Sequence, residues 1–271
     1  MSVTTAIRSS LQGPSVAFGF WLTLPSSGVA KTILHGASGS STKFNWVLVD
    51  AEHGLISDHH YYELCNAIGS EGASPIIRVP FAEDWMIKRA LDAGAHGIMT
   101  PMCHNEVDAA NIVKYAKYPP LGTRGYGPMF APHSMPGIDA GTAYDDNINV
   151  IVTICVQIES RSGVENIEKI AAVPGIDVLF IGPFDLSKMM GVSRGGEEHE
   201  AAIKRILGAA HTCGKKAAIF CTDGLDARKR VEQGFDMISI TTDVGVFRTG
   251  MLNELKVANG ENVIDSSRAG Y

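Results

Sequence analysis

Short apolar runs rich in β-branched residues alternate along the chain with stretches whose apolar positions recur at helical spacing. Eight runs stand out, at 15–24, 44–52, 74–80, 97–102, 152–160, 177–182, 216–222 and 235–242. Several are almost unbroken, as in Trp46-Val47-Leu48-Val49 and Val178-Leu179-Phe180-Ile181. Such runs suit strands covered on both faces, as in a parallel sheet wrapped by helices. Helical periods fill the intervals, at 84–93, 106–117, 165–172, 198–213 and 225–233. Asp58, Asn105, Ser162 and Asp223 stand where N-caps are expected, and Gly94, Gly214 and Gly234 stand where left-handed residues end helices. Eight β/α alternations with short links predict an α/β protein, a (β/α)₈ TIM barrel over 1–258 with a flexible tail over 259–271. An open doubly wound sheet remains the alternative, because a pattern does not show closure. No G-x-G-x-x-G follows a strand, which weakens a dinucleotide-binding reading.

One connection breaks the rhythm. More than thirty residues separate the helix ending near Lys117 from the strand starting near Val152. They carry Arg124-Gly125-Tyr126-Gly127-Pro128-Met129-Phe130 and His133. Long ordered connections in compact domains are usually functional, so 126–133 is expected to face the substrate.

Composition narrows the function classes. The 271 residues fit one barrel, and 45% hydrophobic content supports a large core. A net charge of −6, with no basic run, argues against nucleic-acid binding. Cys65, Cys103, Cys155, Cys213 and Cys221 form no C-x-x-C pair and are odd in number. They read as reduced thiols in a cytoplasmic protein. The apolar stretch 16–24 is too short to span a membrane.

In a barrel, chemistry collects at the C-terminal strand ends. There the chain places Asp50, Glu52 and His53 after the second run, Arg78 on the third, Gln157 and Glu159 on the fifth, and Asp185 after the sixth. Asp92 and Asp243 read as helical or distal. Alternation puts Gln157 and Glu159 on one strand face, and Asp50 and Glu52 likewise share one. Carboxylates from several strands can thus converge on one mouth. Oxygen-rich sites with few protein ligands suit Mg²⁺ or Mn²⁺. Bland alternatives stand beside each reading: a salt bridge to Arg78 or Arg161 for Glu159, an N-cap for Asp185, a loop histidine for His53. A lysine Schiff base is disfavoured, because Lys43, Lys215 and Lys216 precede strands and Lys188 lies beyond the sixth.

Taken together, Val49-Asp50-Ala51-Glu52-His53-Gly54, Ile77-Arg78-Val79-Pro80, Leu91-Asp92-Ala93-Gly94-Ala95, Gln157-Ile158-Glu159-Ser160 and Phe180-Ile181-Gly182-Pro183-Phe184-Asp185-Leu186-Ser187 resemble the HpcH/HpaI aldolases. These are metal-dependent pyruvate aldolases on phosphoenolpyruvate-type barrels. The resemblance implies a divalent metal (Mg²⁺, Mn²⁺ or Co²⁺) on Glu159 and Asp185. It implies enolate stabilisation by Arg78, a general base in His53 assisted by Asp50, and supporting roles for Glu52 and Asp92. It implies that Gln157 and the backbone of Gly182, Pro183 and Phe184 hold the 2-oxo acid. The partners implied are a small 2-oxo acid and an aldehyde, and the assembly implied is a hexamer built as a trimer of dimers. The bulky residues after Arg124-Gly125 are similar to the macrophomate synthase branch, whose reaction runs through oxaloacetate decarboxylation. A citrate-lyase-like action on a CoA ester is a further alternative. The bulky loop leads to the expectation of small or hydrophobic acceptors.

Overall fold

The computed structural model describes residues 4–39, 43–138 and 141–261. Eight parallel strands close into a barrel in chain order: β1 (Ala17–Leu22), β2 (Trp46–Asp50), β3 (Ser74–Arg78), β4 (Gly97–Thr100), β5 (Thr153–Ile158), β6 (Val178–Ile181), β7 (Lys216–Phe220) and β8 (Met237–Thr242). Closure runs through the β1–β8 pairing, where Ala17 sits opposite Met237. The open-sheet alternative is thereby excluded. Around the barrel lie α1 (Ala6–Gln12), α2 (Ser27–Ala37), α3 (Asp58–Ser70), α4 (Asp84–Asp92), α5 (Glu106–Ala116), α6 (Thr142–Ile151), α7 (Arg161–Glu165), α8 (Ile167–Ala172), α9 (Pro183–Met190), α10 (Glu197–Thr212), α11 (Gly224–Glu232) and α12 (Asp243–Ala258).

Cap chemistry fixes several boundaries. Asn105 accepts from the N–H of Val107 and Asp108, and Asp223 accepts from Leu225 and Asp226. Ser160, not Ser162, caps α7, and Ser57, not Asp58, occupies the cap of α3. Gly94, Gly214 and Gly234 take positive φ, as their positions after helices require. The tail beyond residue 261 lies outside the described residues.

Strand alternation sorts the core into two layers. Outward residues such as Val47, Ile77, Ile154 and Leu179 pack under the helices. Inward residues such as Trp46, Leu48, Ile76, Met99, Phe180 and Met237 fill the barrel itself. Gly19 is one condition for this packing: any Cβ there would overlap the Trp46 indole. The N-terminal end of the barrel is plugged by α1, which the apolar pattern did not reveal. Its Ile7 and Leu11 join the inner layer, and the Ile7 N–H donates to the Ser74 hydroxyl at 2.9 Å. With that end closed, only the C-terminal end is left open to hold a ligand.

Candidate active site

At the open end, the last inward positions of β1, β2, β3, β5, β6 and β7 are polar or aromatic: Trp21, Asp50, Arg78, Gln157, Phe180 and Phe220. The β2–β3 register pairs Asp50 directly with Arg78. This register explains a bidentate bond inside the barrel: Arg78 Nε and Nη2 donate to the two Asp50 carboxylate oxygens at 2.9 and 2.8 Å. Arg78 Nη1 lies 3.0 Å from Glu52 and 3.4 Å from Gln157 Oε1. The guanidinium is buried, with its carbon 4.9 Å from the Trp21 ring centroid. Burial works to raise the Asp50 carboxyl. The Arg78 hydrogen bonds and charge outweigh it, with help from the His53 and Glu52 N–H groups, and hold Asp50 below the usual carboxylate range. Glu52 moves the other way: burial raises it, and the Asp50 and Asp185 carboxylates add to the rise against Arg78 and His53.

Gln157 carries the network on to Glu159. Its Nε2 donates to Glu159 Oε2 at 3.2 Å, while the N–H of Met102 donates to Oε1 at 2.9 Å. Met102 holds a left-handed backbone, φ 52°, to aim that N–H. Glycine at 182 leaves room for this carboxylate, since a Cβ there would collide with Glu159 Oε2 and displace it. Glu159 is buried, and burial pushes its carboxyl up to about 7, with Asp185 adding to the rise. Asp185 stands in the first turn of α9, whose N-cap, Gly182, gives no side-chain cap. The first-turn N–H groups are therefore uncapped, a setting that favours anions.

These donors fit a hard divalent cation. A buried, charge-strained carboxylate faces a second carboxylate, and the nearest guanidinium is already engaged with Asp50 and Glu52. Among the described residues no group of three or more His, Cys, Asp and Glu side chains converges as a closed metal site. Two carboxylates leave positions for water or substrate oxygens, as Mg²⁺ and Mn²⁺ prefer.

The cavity above this network has a volume of about 300 Å³. Trp21, His53, Arg78, Gln157, Gly182, Pro183, Phe184, Asp185 and Phe220 line it. No lysine is among them. His53 is exposed at the rim, with Nε2 3.7 Å from Glu52 Oε1. Residues 22–249 of the chain match the profile of the HpcH/HpaI aldolase/citrate lyase family. The hydroxypyruvate/pyruvate aldolase of Paraburkholderia phytofirmans is 34% identical over 247 residues, covering 89% of this chain and 92% of that protein. The chain belongs to the HpcH/HpaI aldolase/citrate lyase family. An HpcH/HpaI family protein from Burkholderia cenocepacia superposes with a TM-score of 0.86 at 31% identity, over 94% of this chain and all of that one. Macrophomate synthase, 24% identical with a TM-score of 0.79 over 96% of this chain and 92% of its own, shares the fold.

Within this HpcH/HpaI chain, the structure brings Asp50, Glu52, His53, Arg78, Gln157, Glu159, Gly182, Pro183, Phe184 and Asp185 to one end of the barrel. It does not bring Asp92 there. Asp92 ends α4 on the outside and binds Arg124 at 2.6 Å. Asp243, set aside from sequence, is buried and accepts from the N–H groups of Thr23 and Leu24.

The long connection also departs from expectation. Much of it is helical, with a 3₁₀ turn over Ala131–Ser134 and then α6. Met129 and Phe130 line a separate surface cavity with Tyr62, Arg89 and Asp92, and His133 Nδ1 lies 2.9 Å from the Tyr62 hydroxyl. None of 126–133 lines the catalytic cavity. Its aromatic walls are Trp21, Phe184 and Phe220, of which Trp21 and Phe220 carry no charge to mark them within their apolar runs. Their signal was parity: each is an inward position at the C-terminal end of its strand. The Met102 N–H had no sequence signal, since any residue supplies one.

Proposed function

We propose that the protein is a divalent-metal-dependent aldolase that makes and cleaves 4-hydroxy-2-oxo acids through a pyruvate enolate. The observation that carries this reading is the junction of a buried cation with a two-carboxylate corner. Arg78 is fixed by Asp50 and Glu52, and Gln157 links it to Glu159 beside Asp185. When bound, a divalent cation on Glu159 and Asp185 supplies Lewis-acid charge at the 2-oxo oxygen. Arg78 is held rigid by its partners, so it supplies preorganised positive charge where the enolate oxygen develops. The uncapped start of α9 favours the substrate carboxylate. His53, whose Nε2 lies 3.7 Å from Glu52, takes the 4-hydroxyl proton as the C3–C4 bond breaks. Gln157 orients the bound 2-oxo acid between Arg78 and Glu159. Oxaloacetate decarboxylation uses the same enolate and needs no proton from a 4-hydroxyl.

The reading extends to compartment and assembly. Five unpaired cysteines, four of them buried, support a cytoplasmic protein. Among the described residues no helix is long and apolar enough to cross a membrane. Only Asp243 of α12 is buried, while Val246, Phe247, Met251, Leu252 and Leu255 are exposed. Such a face supports a homo-oligomer, with a hexamer as the expected form.

The test is pyruvate release from a 4-hydroxy-2-oxo acid before and after exhaustive chelation. Activity should vanish with chelator and return with Mg²⁺, Mn²⁺ or Co²⁺. Full activity without metal, or borohydride trapping of pyruvate on a lysine, would refute it.

A further inference from the structure

Glu159 accepts one of its hydrogen bonds from a strained stretch of backbone. After the Thr100–Val156 pair, Pro101 and Met102 leave the β4–β5 ladder. The chain rejoins it where the Cys103 N–H donates to the Gln157 carbonyl at 3.1 Å. Between these points Met102 turns its own N–H onto Glu159 Oε1. Met102 is the one residue other than glycine with a positive φ among the described residues. That backbone is unfavourable for any residue with a Cβ, so it persists only where the surroundings over-determine it.

The residue two positions on supplies those surroundings. His104 Nδ1 lies 2.8 Å from the Ser160 hydroxyl and 3.1 Å from the Ser162 hydroxyl. The His104 carbonyl accepts from Asn166 Nδ2 at 3.0 Å, and its N–H donates to Asp108 at 3.0 Å. Ser160 directly follows Glu159 and caps α7 by accepting from the Gly163 N–H. Helix α7 approaches this closely because residue 163 is glycine: a Cβ there would lie 2.9 Å from the Cys103 carbonyl oxygen. The Cys103 bond fixes where the segment 102–104 meets β5 but leaves rotation about that contact open. The His104 ring, tied to two hydroxyls of α7 and its cap, removes that freedom.

We propose that His104 is a positioning residue for the metal corner: it latches the segment after β4 to Ser160 and Ser162, which keeps the Met102 N–H on Glu159 and fixes the orientation of that carboxylate. The proposal rests on the metal-dependent reading and adds to it a residue that lines no part of the catalytic cavity. Ligands held by such outer hydrogen bonds bind a cation more tightly, because less motion is lost when it arrives. A packing contact alone would affect stability. A latch affects the affinity of the folded protein for metal.

The experiment is calorimetric titration of the metal-free protein with Mn²⁺, well below its Tm. It compares the unaltered chain with His104→Ala, His104→Asn and Ser162→Ala, and follows hydrogen exchange at Met102 in each. His104→Ala should weaken Mn²⁺ binding by about tenfold and speed exchange at Met102 while the strands stay protected. Asparagine places an amide atom where the histidine Nδ1 stands, so His104→Asn should restore affinity to within about threefold. Ser162→Ala removes one hydroxyl, leaves the Ser160 cap in place, and should cost about threefold. Unchanged Mn²⁺ affinity in a folded His104→Ala, or an asparagine variant as weak as the alanine one, would overturn the role. If His104→Ala does not fold, Ser162→Ala decides, and an affinity equal to that of the unaltered protein would overturn it. Mn²⁺ binding indifferent to residue 104 leaves the metal-dependent reading standing. An unaltered protein that binds no Mn²⁺ would refute that reading, and the role of His104 with it.

Discussion

Replacing Glu159 by Gln should stabilise the metal-free protein at alkaline pH while abolishing its response to metal. Glu159 is 2% exposed, and its carboxyl is pushed from the ordinary 4.5 up to about 7. Each unit of such a shift corresponds to about 1.4 kcal/mol, so ionising Glu159 in the fold costs at most about 3 kcal/mol. Water entry and relaxation reduce that figure. The sign follows from linkage. Between about 4.5 and 7 the folded protein holds a proton that the unfolded chain has released, so stability falls as pH rises through this window. Gln removes the cost, and its amide oxygen can still accept from Met102. Its amide nitrogen, however, meets the Gln157 Nε2 donor in place of Glu159 Oε2. That clash offsets about 1 kcal/mol. The net gain should be about 1–2 kcal/mol at pH 8, or roughly 2–8 °C in Tm for a chain of this size. Thermal unfolding in EDTA at pH 5.5 and pH 8, then with added Mn²⁺, measures it. The variant should gain on the unaltered protein only at pH 8, and Mn²⁺ should raise only the unaltered Tm. A stability difference independent of pH would refute the reasoning, as would an equal Mn²⁺ response in both proteins.

Gly182→Ala should displace Glu159 and weaken Mn²⁺ binding, read by titration, while leaving the far-UV circular dichroism unchanged. Arg78→Lys loses the bidentate bond to Asp50 and should slow both aldol cleavage and oxaloacetate decarboxylation by on the order of 10²-fold. Unaltered decarboxylation in that variant would remove Arg78 from the enolate step. His53→Ala should slow aldol cleavage far more than decarboxylation; equal losses would exclude it as the base for the 4-hydroxyl. Phe247→Asp with Met251→Asp should lower the mass seen by light scattering, whereas a monomeric unaltered protein would remove the oligomer reading altogether.

The barrel was legible because both faces of each strand are buried. Continuous apolar runs therefore marked all eight strands, each lying within its expected range. The polar residues of the site stood out for the same reason. Asp50, Arg78 and Gln157 are anomalous in such strands, and period-two alternation put them on the inward face. What alternation did not give was distance beyond the strand. Asp92 has the right composition, but it sits at the far end of α4, where Arg124 claims it. The connection 118–151 was legible as a functional-looking segment but not in its direction, because Phe130 and His133 pack on Tyr62 instead of the mouth. The α1 plug was missed because two buried apolar residues, Ile7 and Leu11, are too few to show a period.

The central claim is a pyruvate enolate formed beside Arg78, Glu159 and Asp185. Its most direct test uses no acceptor: proton NMR of pyruvate in D₂O with the metal-loaded protein, following loss of the methyl signal. The account predicts methyl deuteration that stops with EDTA, stops in Glu159→Gln and slows by on the order of 10²-fold in Arg78→Lys. Cleavage of a 4-hydroxy-2-oxo acid without any such exchange, or exchange that persists in both variants, would contradict it.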